Sequence, residues 1–271
     1  MKTLPEPDIR RYVLDRLGGR RCPPADLLKE LASRFHLGRK KAQALLRGLV
    51  AAGELAYSFE HGRTVIEPSF DRPVRVSGRI VLTPPGLAFD AGPTDAVVRI
   101  MPGAAFGAGR HPTTRLALKG IDFVMGCNGR SLARRGSRVL DIGTGSGVLI
   151  VAAVKLGIES GLALDVDPCA VAEARANVEK NDLSGRIAVS DRSAETLDGV
   201  YELVTANLRT PTLARLAPGF ARWTAPRGAL VISGIRSGEC AGLSSVLELL
   251  GFKVCWRAEE QDWASVALTN K

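Results

Sequence analysis

One heptad limits this chain more than any other stretch: Asp141-Ile-Gly-Thr-Gly-Ser-Gly147. The apolar pair Val139-Leu140 runs into it, and an apolar helical pattern, Val148–Leu156, runs out of it. A strand that turns at once into a helix needs backbone angles that a β-carbon resists, and glycine supplies them. Glycines also let a ligand approach the backbone closely, beside the positive end of the helix. The dinucleotide fingerprint would place its third glycine where Val148 stands, so the spacing here is Asp-x-Gly-x-Gly-x-Gly. Taken alone, the heptad marks either a nucleotide-type ligand or a purely structural turn.

The surrounding pattern alternates strand and helix. Strands are predicted at Arg138–Ile142, Gly161–Val166, Arg186–Ser190, Glu202–Ala206 and Ala229–Ser233. Helices are predicted between them at Ser146–Leu156, Pro168–Asn181, Pro211–Trp223 and Glu239–Leu250, with a short one within Arg192–Leu197. Repeated strand–helix units imply an α/β fold, a doubly wound and mainly parallel sheet with helices on both faces. The last two strands, Lys253–Arg257 and Trp263–Thr269, are joined by the polar turn Glu259-Glu-Gln-Asp262. A connection so short forces an antiparallel hairpin, because a parallel crossover needs a dozen or more residues.

Residues 1–70 read as a separate small domain. Three helical patterns are expected, from Pro5 to Gly18-Gly19, from Pro23-Pro24 to near Gly38, and from Arg39 to Ala52, capped by Gly53. A hairpin follows, Glu54–Phe59 and Arg63–Glu67 across Glu60-His61-Gly62. That layout resembles a winged helix-turn-helix. Residues 1–50 hold twelve Lys or Arg against five Asp or Glu, a balance suited to nucleic acid, to protein docking or to a merely solvated face. Residues 71–105, rich in proline and glycine, read as a linker hairpin built on Arg79–Leu82 and Val97–Ile100. The main domain takes 106–271.

Five scattered cysteines, Cys22, Cys127, Cys169, Cys240 and Cys255, lack metal-ligand spacing, so no metal site is expected and the thiols are expected reduced. Met1–Arg21 has no apolar signal core and no later run could span a membrane, which predicts a soluble, cytoplasmic protein.

In a doubly wound sheet, ligands sit beyond the carboxyl ends of the strands. Those ends carry Asp141 with Gly143, Gly145 and Gly147; then Asp165, 22 positions beyond Gly143, and Asp167; then Ser190 and Asp191; then Asn207. Asp165 is placed to accept hydrogen bonds from ribose hydroxyls. Ser190 and Asp191 are placed to meet an adenine edge, and the Asn207 amide offers a donor and an acceptor. Ahead of the domain stands the loop Ala105-Phe-Gly-Ala-Gly-Arg-His-Pro-Thr-Thr114, leading into a helical pattern Arg115–Val124.

The heptad resembles the first motif of the class I S-adenosylmethionine-dependent methyltransferases, which also end in an antiparallel hairpin on a seven-stranded sheet. Residues 97–271 further resemble the PrmA family of ribosomal protein L-eleven methyltransferases. The resemblance is carried by Ala105–Thr114, Asp141–Gly147, Asp165-Val-Asp-Pro168, Ala206-Asn207, Ser233-Gly-Ile235 and Trp263–Leu268. It implies S-adenosyl-L-methionine as cofactor, contacted by Thr114, Gly143, Asp165 and Asn207, and N-methylation of a protein lysine or N-terminal amine. Asn207 and His111 are the candidates beside the reacting centre, with the amine's proton leaving to water through their loop. The chain departs from the family at Ala108, where threonine is usual, and in Leu208-Arg-Thr-Pro211 after Asn207. Residues 1–70 differ from the family's substrate domain. Two alternatives follow: a DNA or RNA methyltransferase guided by the basic domain, and a DNA-binding regulator that senses S-adenosylmethionine. Against the first, Asn207 lacks the Pro-Pro-aromatic sequence that stacks a flipped base.

Overall fold

The computed structural model describes residues 7–17, 21–60, 62–69, 71–101, 106–107, 109, 111–126 and 132–271. The chain divides into two compact units, Met1–Arg75 and Val76–Lys271. Among the described residues no helix is long and apolar enough to cross a membrane.

The first unit runs α1 (Pro7–Leu17), α2 (Pro24–Arg34), α3 (Arg39–Ala51), β1 (Leu55–Glu60) and β2 (Arg63–Pro68), ending in the two-residue strand β3 (Val74–Arg75). This is the expected element order. Each helix turns one apolar stripe inward: Ile9, Val13 and Leu17; Leu27 and Leu31; Ala42, Leu46 and Leu49. The stripes meet Leu55 and Ile66 of the hairpin, and burial of that set gives the unit its own core. Gly53, at φ 69°, ends α3 as predicted. β1 and β2 pair antiparallel out to Glu60 opposite Arg63. The connection is therefore two residues, of which Gly62 is left-handed and His61 lies outside the described residues. Pro5, Gly18 and Gly19, the expected limits of the first helix, also lie outside them.

The second unit opens with β4 (Ile80–Thr83) and β5 (Ala96–Arg99), and here the sequence reading is corrected. The two strands pair in parallel, Ile80 opposite Ala96, and so do not form a hairpin. The twelve residues 84–95 between them suffice for a crossover, whereas a hairpin would need only a few. Nor is the stretch a free linker. Ile80, Val81, Leu82 and Val98 are fully buried, and Arg79 pairs with Asp122 at 2.6 Å.

Next come α4 (Pro112–Gly126), β6 (Arg138–Ile142), α5 (Val148–Lys155), β7 (Ser160–Leu164), α6 (Pro168–Lys180), β8 (Ile187–Ser190), β9 (Tyr201–Asn207), α7 (Thr210–Trp223), β10 (Thr224–Arg236), α8 (Cys240–Leu249), β11 (Phe252–Glu260) and β12 (Trp263–Asn270). Single 3-10 turns sit at Ala194–Thr196 and Ser237–Glu239. The seven strands order as β11-β12-β10-β9-β6-β7-β8. All pairs are parallel except those of β12, which runs antiparallel to both β10 and β11. Helices on both faces bury the central strands, so Val139, Leu140, Leu203, Val204, Leu230 and Val231 form unbroken apolar runs. α5 is buried from Val148 to Val154, which is why its sequence is apolar all round. The terminal turn is tighter than expected. Glu260 pairs with Trp263 and only Gln261-Asp262 intervene, both at positive φ, as a type I′ turn requires.

Candidate functional site

A cavity of about 660 Å³ lies at the carboxyl ends of β6, β7, β8 and β9, where a doubly wound sheet places its ligand. Its size is within the range of small-molecule sites. Strand ends position much of the lining, and the loop before α4 and the first turns of α7 add to it.

After β6 the backbone turns through Gly143, Gly145 and Gly147, at φ 71°, 54° and 81°. At two of them space also demands glycine. A β-carbon on Gly145 would sit 2.2 Å from the Phe106 carbonyl oxygen, and one on Gly143 would meet the Leu208 side chain at 2.5 Å. The loop is thus clasped from both sides: Ser146 N–H donates to the Phe106 carbonyl (2.9 Å), and Leu208 covers Gly143. Asp165, just past β7, accepts from Gly145 N–H (2.8 Å) and, through its other oxygen, from Asp167 N–H (3.1 Å). Each oxygen keeps a second acceptor site. Arg192, Ser193, Ala194 and Glu195 follow β8 and line the next part of the wall.

β9 ends in Asn207, half-buried, and no hydrogen bond to its side-chain amide forms among the described residues. Beside it β10 bulges at Gly234 (φ 85°), where a β-carbon would fall 2.4 Å from the Leu208 carbonyl oxygen. The bulge orders two neighbours, since the Ser233 carbonyl accepts from Leu208 N–H and the Ser233 hydroxyl donates to the Thr113 carbonyl at 2.8 Å. The mouth is aromatic. His111 packs between Phe106 (5.0 Å between ring centres) and Trp263 (5.3 Å), and the Arg236 guanidinium lies 4.0 Å over the Trp263 ring. His111 Nδ1 is 2.8 Å from the Thr113 hydroxyl, and the His111 carbonyl receives Thr114 N–H and Arg115 N–H at the start of α4.

Of the residues singled out from the sequence, the cavity brings together Gly143, Gly145, Asp165, Asp167, His111 and Asn207. Asp141, Gly147, Thr114, Ser190 and Asp191 do not line it. Asp141 is fully buried behind the loop, accepting from the Thr144 hydroxyl (2.7 Å) and the Thr205 hydroxyl (2.6 Å). It therefore braces the turn against β9. Burial pushes its carboxyl up to about 6, the Asp165 charge adds to this, and the two hydroxyl donors oppose it. Gly147 packs against α6, where a β-carbon would lie 3.4 Å from Ala174. Thr114 is wholly inside α4's packing, and its hydroxyl has no partner among the described residues. Asp191 is exposed, and the lining begins one residue later. Ala108, the expected departure in the loop, lies outside the described residues.

Some supports have no pattern in the sequence. Asn181 bonds both backbone groups of Arg99 (2.9 and 2.7 Å). Asn177 receives Met101 N–H (3.0 Å) and donates to the Ser146 carbonyl (2.8 Å), so α6 ties β5 to the glycine loop. Arg115, fully buried in α4, pairs with Glu260 at the end of β11 and reaches the Gly109 carbonyl at 3.4 Å. An arginine and a glutamate 145 positions apart carry no local signal.

Residues 68–271 match the family model for ribosomal protein L11 methyltransferase (PrmA). A ribosomal protein L11 methyltransferase of Geotalea uraniireducens is 38% identical over 197 residues, which is 71% of this chain and 62% of that protein. One from Geobacter sp. (strain M21) is 41% identical over 184 residues, 66% of this chain and 59% of that protein. The chain thus spans about three fifths of the length of these curated relatives. Among solved structures, a ribosomal protein L11 methylase from Lactobacillus delbrueckii subsp. bulgaricus superposes with a TM-score of 0.64 at 28% identity, over 74% of this chain and 99% of that one.

Proposed function

The chain belongs to the ribosomal protein L11 methyltransferase (PrmA) family, and from that membership we propose that it is an S-adenosylmethionine-dependent methyltransferase acting on an amine of a ribosomal protein, L11 or a related target, in the cytoplasm. The observation that carries this reading is the meeting, in one cavity at the strand ends, of a left-handed glycine loop, the fixed carboxylate of Asp165 and the unengaged amide of Asn207.

The residues present fit such a methyl donor. Gly143 and Gly145 clear the backbone for its amino-acid part. Asp165, its orientation set by two backbone N–H groups, retains acceptor capacity for ribose hydroxyls. When bound, S-adenosylmethionine supplies an electrophilic methyl group on a sulfonium, so the protein's work is to position and to exclude water.

The acceptor amine must arrive neutral, since an ammonium has no lone pair, and a lysine in water has a pKa of about 10.4. The ring wall of Phe106, His111 and Trp263 favours the neutral form by removing water from the ammonium. The oxygen of the Asn207 amide accepts an N–H of that amine and turns its lone pair inward. His111, with Nδ1 engaged by Thr113, lines the route by which the proton passes to water. A nucleic-acid acceptor is not favoured, because the residue after Asn207 is Leu208, which covers Gly143 and offers no ring to stack a base.

The test uses tritiated S-adenosylmethionine with the protein and ribosomes from cells lacking methylated L11. Label removed by protease and untouched by nuclease is expected, in a band the size of L11. Nuclease-sensitive label, or no transfer by protein shown to bind the donor, would overturn the reading.

A further inference from the structure

Several cations of the first unit are engaged within it. Arg10 pairs with Glu54 at 2.7 Å, Arg16 with Glu30 at 2.8 Å, Arg21 with Glu67 at 2.9 Å and Arg11 with Asp15 at 3.7 Å, while Arg34 lies 4.6 Å over the Tyr12 ring. The sequence of α3, Arg-Lys-Lys-Ala-Gln-Ala-Leu-Leu-Arg-Gly-Leu-Val-Ala, contains no acid at all. Its Arg39, Lys40, Lys41 and Arg47 are exposed, and none forms an ion pair among the described residues. Four exposed cations on one helix without an acid make a surface suited to an anionic partner.

A second feature narrows the partner. Tyr57 and Phe59 stand two apart on β1, hence on one face of the strand, and are 50% and 76% exposed. A hairpin that packs on the helices through Leu55 and Ile66 gains nothing from two bare rings beyond them. Aromatic faces on a strand stack unpaired bases, while bases inside a duplex are already stacked and out of reach. α3 also carries Gly48, whose missing β-carbon would meet nothing within 4 Å, so no internal contact requires this glycine in a helix.

We propose that α3 and the exposed rings of β1 form a binding surface for RNA with unpaired bases, phosphates going to the α3 cations and bases to Tyr57 and Phe59. The surface is independent of the methyltransferase cavity, which lies wholly in the second unit. It gives this chain a nucleic-acid contact through the segment, residues 1–67, that lies outside the family match.

The experiment measures anisotropy of a fluorescein-labelled, unstructured 20-nucleotide RNA titrated with the full chain, beside a DNA duplex of equal length and a labelled polyglutamate. Saturable RNA binding is expected, with a slope of log K against log salt of roughly −3 for four phosphate contacts on a single strand. Phe59→Ala should weaken it roughly tenfold, by loss of one stacked base. The triple variant Lys40→Gln, Lys41→Gln, Arg47→Gln should flatten the salt slope. All four sites are exposed, and unchanged unfolding temperatures would show the fold intact. Gly48→Gln should leave stability equal or higher while reducing affinity. No saturable RNA binding, equal or better binding to duplex DNA or polyglutamate, or RNA binding indifferent to these variants would each overturn the proposal.

Discussion

At the scale of single residues, two carboxylates near the glycine loop have opposite assignments. Asp165 faces the cavity with spare acceptor capacity, so on the proposed function Asp165→Ala removes a charge-assisted contact worth about 1.5–3 kcal/mol. Titration calorimetry should show affinity for S-adenosylmethionine falling by at least tenfold, and unchanged affinity would mean that the ribose lies elsewhere. Asp141 is held inside, and its folded value of about 6 stands above the ordinary 3.8. A raised acid binds more protons folded than unfolded between those two values, so stability falls as pH rises through about 4 to 6 and the full cost persists above. The shift corresponds to about 3 kcal/mol above pH 7. Asp141→Asn deletes this dependence while its amide can still meet the Thr144 and Thr205 hydroxyls. Urea denaturation at pH 7.5 and at pH 5 should therefore show the wild type gaining roughly 1 kcal/mol on the variant as pH is lowered. A constant difference between the two proteins would remove Asp141 as the titrating group.

At the scale of elements, the ion pair between Arg115 of α4 and Glu260 of β11 links the helix below the aromatic loop to the hairpin that presents Trp263. Breaking a buried pair strands a charge, at a cost of about 3–5 kcal/mol, whereas replacing both partners is far milder. Arg115→Met should accordingly lower the unfolding free energy by several kcal/mol, and Arg115→Met with Glu260→Gln should recover most of it. A double variant as unstable as the single one would show that packing, not charge, is what Arg115 supplies. This pair also shows where reading the sequence stops. Strand ends were legible because apolar runs stop at polar residues, which put Asp165 and Asn207 at the ends of β7 and β9 and gave β6 to the residue. The parallel pairing of β4 with β5 was not, since two short apolar runs across a proline- and glycine-rich stretch look alike for either direction. The bracing by Asn177 and Asn181 was hidden as well, because an asparagine on a helix reads as solvated until the strand beside it is known. The bracing by Asp141 was hidden for a related reason: alternation along β6 shows that it stands near a strand end, but only the neighbouring β9 reveals Thr205 opposite it.

At the scale of the whole molecule, the chain carries two self-contained cores. One is built on Leu17, Leu31, Leu49 and Ile66, the other on the central strands with Phe220, Trp223 and Phe252. Every residue lining the cavity belongs to the second unit, including all those proposed to hold the methyl donor. Cofactor affinity and substrate choice should therefore be separable by cutting between Arg75 and Val76, which leaves β4, β5 and their ties to α4 and α6 intact. The fragment 76–271 should fold cooperatively and bind S-adenosylmethionine with a Kd within about threefold of the full chain, a difference below 1 kcal/mol. On the proposed function, its transfer to ribosomes should instead fall through KM, because residues 1–75 line no part of the cavity. Calorimetry on the fragment and transfer rates across a range of ribosome concentrations measure both. A fragment that folds but no longer binds the donor would place part of the cofactor site in the first unit. A fragment that methylates with unchanged KM would leave residues 1–75 no part in selecting the substrate.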